Sequence, residues 1–155
     1  MISPELLRRY SFFGQISEQD LYAIAMIAEE VTADAGAVLF EERQPADALY
    51  LLLEGSIDLY YKSEEEYHPK ARKEFLVGEI NPGEIFSISS MIEPYILNAS
   101  ARTAKPSRFV KFDAVALRKL TEENHKMGCL VMRQIAKALM ERLAYTRVQL
   151  AAAWA

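Results

Sequence analysis

Across residues 31–112 the chain offers only short apolar runs, and each is stopped before it completes three helical turns. Val38-Leu39-Phe40 is one run, and Leu49-Tyr50-Leu51-Leu52-Leu53 is another, too short for a lone helix. Glu54-Gly55-Ser56 reads as a turn, and Ile57-Asp58-Leu59-Tyr60-Tyr61 then alternates with the period of a strand. Phe75-Leu76-Val77-Gly78-Glu79-Ile80 is a further strand, closed by the turn residues Asn81-Pro82-Gly83-Glu84. Residues 99–103 and 108–112 complete the series, with Lys105-Pro106-Ser107 expected to turn between them. Many short strands with regular turns predict a roll or barrel.

Both flanks read as helix. In the N-terminal zone, residues 3–30, Ser3 suits a cap, Pro4 the first helical position and Glu5 the positive end of the dipole. Ser17-Glu18-Gln19-Asp20 is a capping sequence for a second helix, whose apolar stripe is Leu21, Ile24, Ala25 and Ala28. In the C-terminal zone, residues 113–153, Asp113 is expected to cap one helix and Thr121 the next. Residues 125–153 contain no proline, so one helix of up to about 40 Å is expected at about 1.5 Å per residue. Together these zones predict a single α+β domain over residues 1–155: an antiparallel β-roll, or jelly-roll-like double-stranded β-helix, with N-terminal helices and a long C-terminal helix.

Composition narrows the function. A net charge of -4 argues against a nucleic-acid surface, and no direct nucleic-acid contact is expected. A single cysteine, Cys129, rules out an internal disulfide or a cysteine-based metal site within one chain, and it reads as a small buried residue. His68 and His125 lie in different zones with no ligand spacing, so neither metal nor haem is expected. No uninterrupted apolar stretch of about 18 residues exists, and the first residues do not read as a signal peptide. The expected location is the cytoplasm, without membrane contact. No nucleophile elbow, HExxH, Walker lysine or acid–base pair is present, so an enzyme is not expected. The charged stretch around residues 62–73, with Glu64, Glu65, Glu66, Lys70, Arg72 and Lys73, reads as a solvated hairpin.

Several segments resemble the cyclic-nucleotide-binding domain of the catabolite activator (Crp-Fnr-like) regulators and of kinase regulatory subunits. Phe12-Phe13-Gly14-Gln15-Ile16-Ser17-Glu18-Gln19-Asp20-Leu21 is similar to the family's entry helix. Ala35-Gly36-Ala37-Val38-Leu39-Phe40, then Ala46-Asp47 before a second strand ending at Gly55, resembles its most diagnostic stretch. Pro82-Gly83-Glu84-Ile85-Phe86 looks like the approach to its phosphate-binding cassette, which would span residues 83–100. The resemblance implies a β-roll whose pocket takes a cyclic nucleotide and whose last long helix pairs with its twofold mate.

The cassette departs from the family where charge is needed. The family follows the aromatic with Gly-Glu and places an Arg nine positions after that Glu; the Glu binds the ribose hydroxyl and the Arg the cyclic phosphate. Without a gap these positions are Ser87, Ile88 and Leu97, while Asn98-Ala99-Ser100 fits the small residues that follow. Arg102 comes five places too late and is expected to face outward. Two lost charge-assisted hydrogen bonds, at about 1.5–3 kcal/mol each, remove roughly two to four decades of affinity. A cyclic nucleotide, or any other cofactor, is therefore not expected; an unknown small anionic or apolar effector remains open. The candidate ligand residues are Gly83, Phe86, Ser87, Ile88, Ser89, Ser90, Leu97, Asn98 and Ala99. The serines read either as donors at the free start of a short helix or as a capped turn beside a closed apolar pocket.

Met132, Ile135, Leu139, Leu143 and Leu150 step along the long helix by three, four or seven and are the candidate homodimer seam. Arg133, Lys137, Glu141, Arg142 and Arg147 read as its solvated face. The expected function is a stand-alone regulatory sensor module signalling through its C-terminal helix. The alternatives are a ligand-independent dimerisation module, or a transcriptional regulator subunit acting through a partner that carries the DNA-reading domain. With no recognition helix expected beyond the long helix, specific DNA binding is not expected.

Overall fold

The computed structural model describes residues 1–63 and 73–155. The expected charged hairpin, with Glu64, Glu65, Glu66, His68, Lys70 and Arg72, lies outside the described residues apart from its ends. Along the chain run α1 Pro4–Arg8, α2 Glu18–Met26, β1 Ala28–Ala33, β2 Val38–Phe40, β3 Ala48–Lys62, β4 Glu74–Ile80, β5 Ile85–Phe86, β6 Ser100–Asp113, α3 Ala114–Glu123 and α4 His125–Trp154. All strand pairs are antiparallel, in the order β1-β6-β3-β4, with β2 also on β6 and β5 on β3. This is the expected β-roll, with helices before and after it.

The run Leu49–Leu53 opens β3 just after Ala48 and is buried on both faces, which is why it does not alternate with polar residues. Leu49, Leu51 and Leu53 face the helices, packing with Leu7, Leu21, Ile24, Leu117, Met127, Val131 and Ile135. Tyr50 and Leu52 face the roll interior, with Ile57, Ile80, Phe86, Ala101 and Phe109. Inside the roll, Tyr50 stacks on Phe86 at 4.9 Å between ring centroids, and Phe109 meets both rings edge-on. Burial holds the Tyr50 phenol above its ordinary pKa, and Asp47 and Glu29 add to that push.

Two expected turns are not turns. Glu54-Gly55-Ser56 and Lys105-Pro106-Ser107 face each other across β3 and β6, where Glu54 pairs with Arg108 and Ser56 with Lys105. The pairing register shifts on either side of Glu54 and Ser56, so the two breakers form a shared bulge in continuous strands. Gly55 has φ +105, and a Cβ there would meet the Ser107 Cα and the Pro106 carbonyl at 2.7 Å. The Ser56 N–H donates to Ser107 Oγ at 3.3 Å, and the Ser107 hydroxyl donates to the Lys105 carbonyl at 2.7 Å.

The helix boundaries also need correction. Strand β1 begins at Ala28, so that residue, Glu29 and Glu30 leave the N-terminal helical zone. Pairing of Ala28 through Ala33 with β6 outweighs the weak continuation of the α2 stripe. Ser17 caps α2 as expected, accepting from the Asp20 N–H, but Ser3 makes no side-chain cap. Asp113 caps α3, accepting from the Ala116 N–H. Asn124, rather than Thr121, caps α4, accepting from the Met127 N–H, while its amide donates to Asp20 at 2.9 Å. The Thr121 hydroxyl turns back onto the Arg118 carbonyl. Cys129 is exposed, not buried, because α4 packs inward through Met127, Val131 and Ile135 instead.

A candidate ligand cavity between the roll and the C-terminal helix

Strand β5 pairs Phe86 with Tyr50 and Ile85 with Leu51, which anchors the cassette on the central strand. Ser87 follows in the left-handed region, at φ 62 and ψ 45. That backbone favours glycine over a residue with a side chain. A 3-10 turn, Ile88–Met91, comes next. It is too short to present a helix start with free donors: the N–H and the hydroxyl of Ser90 both donate to the Ser87 carbonyl, at 3.1 and 2.7 Å. Nor does the Ser87 side chain cap the turn.

Ile88 and Leu97 are each 5% exposed. The backbone of Leu97 is fixed from both sides: its N–H donates to the Gln44 carbonyl, and its carbonyl accepts from the Arg43 N–H. Arg102 faces outward as expected, forming a two-pronged ion pair with Glu74 at 2.6 and 2.8 Å and lying over the Tyr60 ring. It cannot stand in for the missing cassette arginine.

A cavity of about 840 Å³ lies between the cassette, the β3–β4 sheet and α4. Ser87, Ile88, Ser89, Leu97, Asn98 and Ala99 line it from the cassette side. Leu139, Arg142, Leu143 and Thr146 line it from α4. Among the other candidates, Gly83 borders a smaller cavity of about 120 Å³, Phe86 is fully buried in the roll, and Ser90 is buried within its own turn. The main cavity therefore draws together six of the nine cassette candidates and two of the five seam candidates.

The seam stripe divides. Ile135 is 1% exposed and belongs to the intramolecular core with Met127 and Val131, so it is not available to a second chain. Met132, Leu139, Leu143 and Leu150 remain between 41% and 58% exposed. Beyond Ile135 the helix runs past the packed core, and Met140, Val148 and Trp154 are exposed as well.

Two arginines tie the cassette to the C-terminal helices. Arg118 of α3 donates to the Ser90 carbonyl at 2.9 Å and stacks over the Tyr95 ring at 3.8 Å. Arg142 of α4, expected on the solvated face, instead turns inward and donates to the Ile85 carbonyl. Its phase on the helix was the available signal: Ile135, Leu139, Arg142 and Thr146 step by four, three and four along one stripe. Burial holds the Arg142 guanidinium below its ordinary pKa, opposed by the nearby Glu84, yet arginine stays charged. Glu79, Glu84, Glu93 and Glu141 also border the cavity, with the Glu84 carboxylate accepting from the Asn81 N–H at 2.9 Å. Among the described residues no cluster of His, Cys, Asp or Glu could hold a metal ion, and no helix is long and apolar enough to cross a membrane.

Comparison with known proteins agrees with this geometry. The sequence profile of the cyclic nucleotide-binding domain matches residues 30–124. A candidate cyclic nucleotide-binding protein from Geobacter metallireducens GS-15 is 39% identical, with a TM-score of 0.79 over 92% of this chain and 99% of that one. The sensor domain of the transcriptional regulator DNR from Pseudomonas aeruginosa shares the fold at 22% identity, with a TM-score of 0.71 over 90% of each chain. A CRP-like cAMP-activated global transcriptional regulator of Mycobacterium tuberculosis is 24% identical over 135 residues, which are 87% of this chain and 58% of that protein. The chain thus spans less than two thirds of that regulator's length.

Proposed function

Because the chain belongs to the cyclic nucleotide-binding domain family, we propose that it is a regulatory sensor module whose effector is not held as a cyclic nucleotide usually is. The observation that carries this reading is the shared wall of the main cavity. Ile88 and Leu97, which the resemblance sets against the family's acid and arginine, line it from one side, and Leu139, Arg142 and Leu143 line it from the other. An occupant touches cassette and helix at once, so its binding energy depends on how α4 sits on the roll. That is the condition for a ligand to shift a conformational equilibrium. Arg118 and Arg142 are the polar links through which a displaced cassette would pull on α3 and α4.

The test is amide hydrogen exchange with the uncharged fluorescent arene N-phenyl-1-naphthylamine as the probe. On saturation, exchange over residues 139–146 is expected to slow, along with residues 87–98. Probe binding that leaves residues 139–146 unchanged would contradict signalling through the helix.

The exposed apolar face of α4 supports the second part of the proposal, a homodimer. The helix has 30 residues, about 45 Å at about 1.5 Å per residue, and only its first turns are covered by the domain's own core. A second copy laid along Leu139, Leu143 and Leu150 would also lie beside the cavity, which Leu139 and Leu143 line. Light scattering at tens of micromolar is expected to give twice the chain mass, reduced to one by Leu143→Glu with Leu150→Glu. A monomeric parent favours instead a module that presents this face to a different protein.

A further inference from the structure

We propose that Arg142 is the anion-recognising group of the main cavity, and that the ligand is an organic monoanion: a carboxylate or sulfonate on an apolar aromatic or alkyl body. This deepens the sensor reading and rests on it. A guanidinium carries five N–H donors. Among the described residues Arg142 has one acceptor, the Ile85 carbonyl, and no carboxylate at ion-pair distance. A half-buried cation left in that state is costly, and an anion with two oxygens matches the unused part of its fork. The Ile85 carbonyl places the charge three residues before the cassette turn.

The remaining walls define the rest of the ligand. Ile88, Leu97, Leu139 and Leu143 offer an apolar lining. On the register the resemblance implies, a ribose would present its hydroxyls to Ile88, whose side chain has no acceptor to give them. Glu84 and Glu141 border the same space and oppose a second negative charge, which excludes dianions such as phosphate monoesters. One fixed cation, several carboxylates and a greasy lining together select a single negative charge on an apolar frame.

Two probes with the same arene frame test this, one anionic and one neutral: 8-anilinonaphthalene-1-sulfonate and N-phenyl-1-naphthylamine, each titrated by fluorescence. Arg142→Gln is expected to weaken the sulfonate about 10- to 100-fold, as loss of one or more charge-assisted hydrogen bonds requires. The neutral probe should change less than about threefold, and Arg142→Lys should restore part of the sulfonate affinity. Unchanged sulfonate affinity in Arg142→Gln overturns the proposal, since the probe would then sit elsewhere, for example on the exposed face of α4. Equal losses for both probes overturn it too. If Arg142→Gln does not fold, the parent decides: the sulfonate must bind at least about tenfold more tightly than the neutral arene, and equal affinities refute the assignment. A parent that binds the neutral probe alone refutes the role of Arg142 but leaves the sensor reading standing; binding of neither probe removes both.

Discussion

The double variant Ile88→Glu with Leu97→Arg is expected to bind cyclic AMP about two to four decades more tightly than the parent chain. The magnitude follows from adding two charge-assisted hydrogen bonds of about 1.5–3 kcal/mol each. The geometry favours success. Both side chains line the main cavity, Ser87 already holds the left-handed backbone that precedes the acid, and Asn98 and Ala99 follow on the same wall. Each single substitution should do much worse than the pair. Ile88→Glu alone buries a carboxylate among apolar neighbours, and Leu97→Arg alone adds a second cation to the cavity that Arg142 already lines. Isothermal titration of the three variants checks this. A double variant that folds, as judged by circular dichroism, and still ignores the nucleotide would mean that Ile88 and Leu97 do not occupy the recognition positions.

Gly55→Ala should destabilise the domain by about 2–6 kcal/mol, a large part of the ~5–15 kcal/mol that typically holds such a domain together. Two penalties combine. The backbone at φ +105 lies where an L side chain is strained, and the new Cβ would press on backbone atoms of Pro106 and Ser107 that belong to the opposite strand. Neither strand can yield without breaking the Ser56–Ser107 hydrogen bond that closes the bulge. Urea unfolding gives the number; a loss below about 1 kcal/mol would show that the shared bulge is soft.

These two positions also mark what was legible in the sequence. The turn glycine Gly36 and Gly83 of the Pro82-Gly83-Glu84-Ile85-Phe86 approach were readable because each holds a positive φ, 79 and 90, that few residues satisfy. The cassette register could be counted along the chain, whereas the left-handed backbone of Ser87 could not. Gly55 and Pro106 were misread for a definite reason. Each is a strong local breaker, and only long-range pairing sets them opposite one another and turns two breaks into one bend. The division of the α4 stripe was hidden in the same way. Periodicity shows that Ile135, Leu139 and Leu143 share a side of the helix, but not where the domain ends and the helix runs free. Arg142 was missed because a charged residue on a long helix ordinarily faces water. Its phase with Ile135 and Leu139 carried the contrary signal.

The central claim is that the cassette has kept its backbone and lost the two charges that recognise a cyclic nucleotide. Titrating the parent chain with cyclic AMP and cyclic GMP in a calorimeter tests it directly. The account predicts no saturable binding at nucleotide concentrations of tens of micromolar. A dissociation constant in the micromolar range for either nucleotide would contradict it.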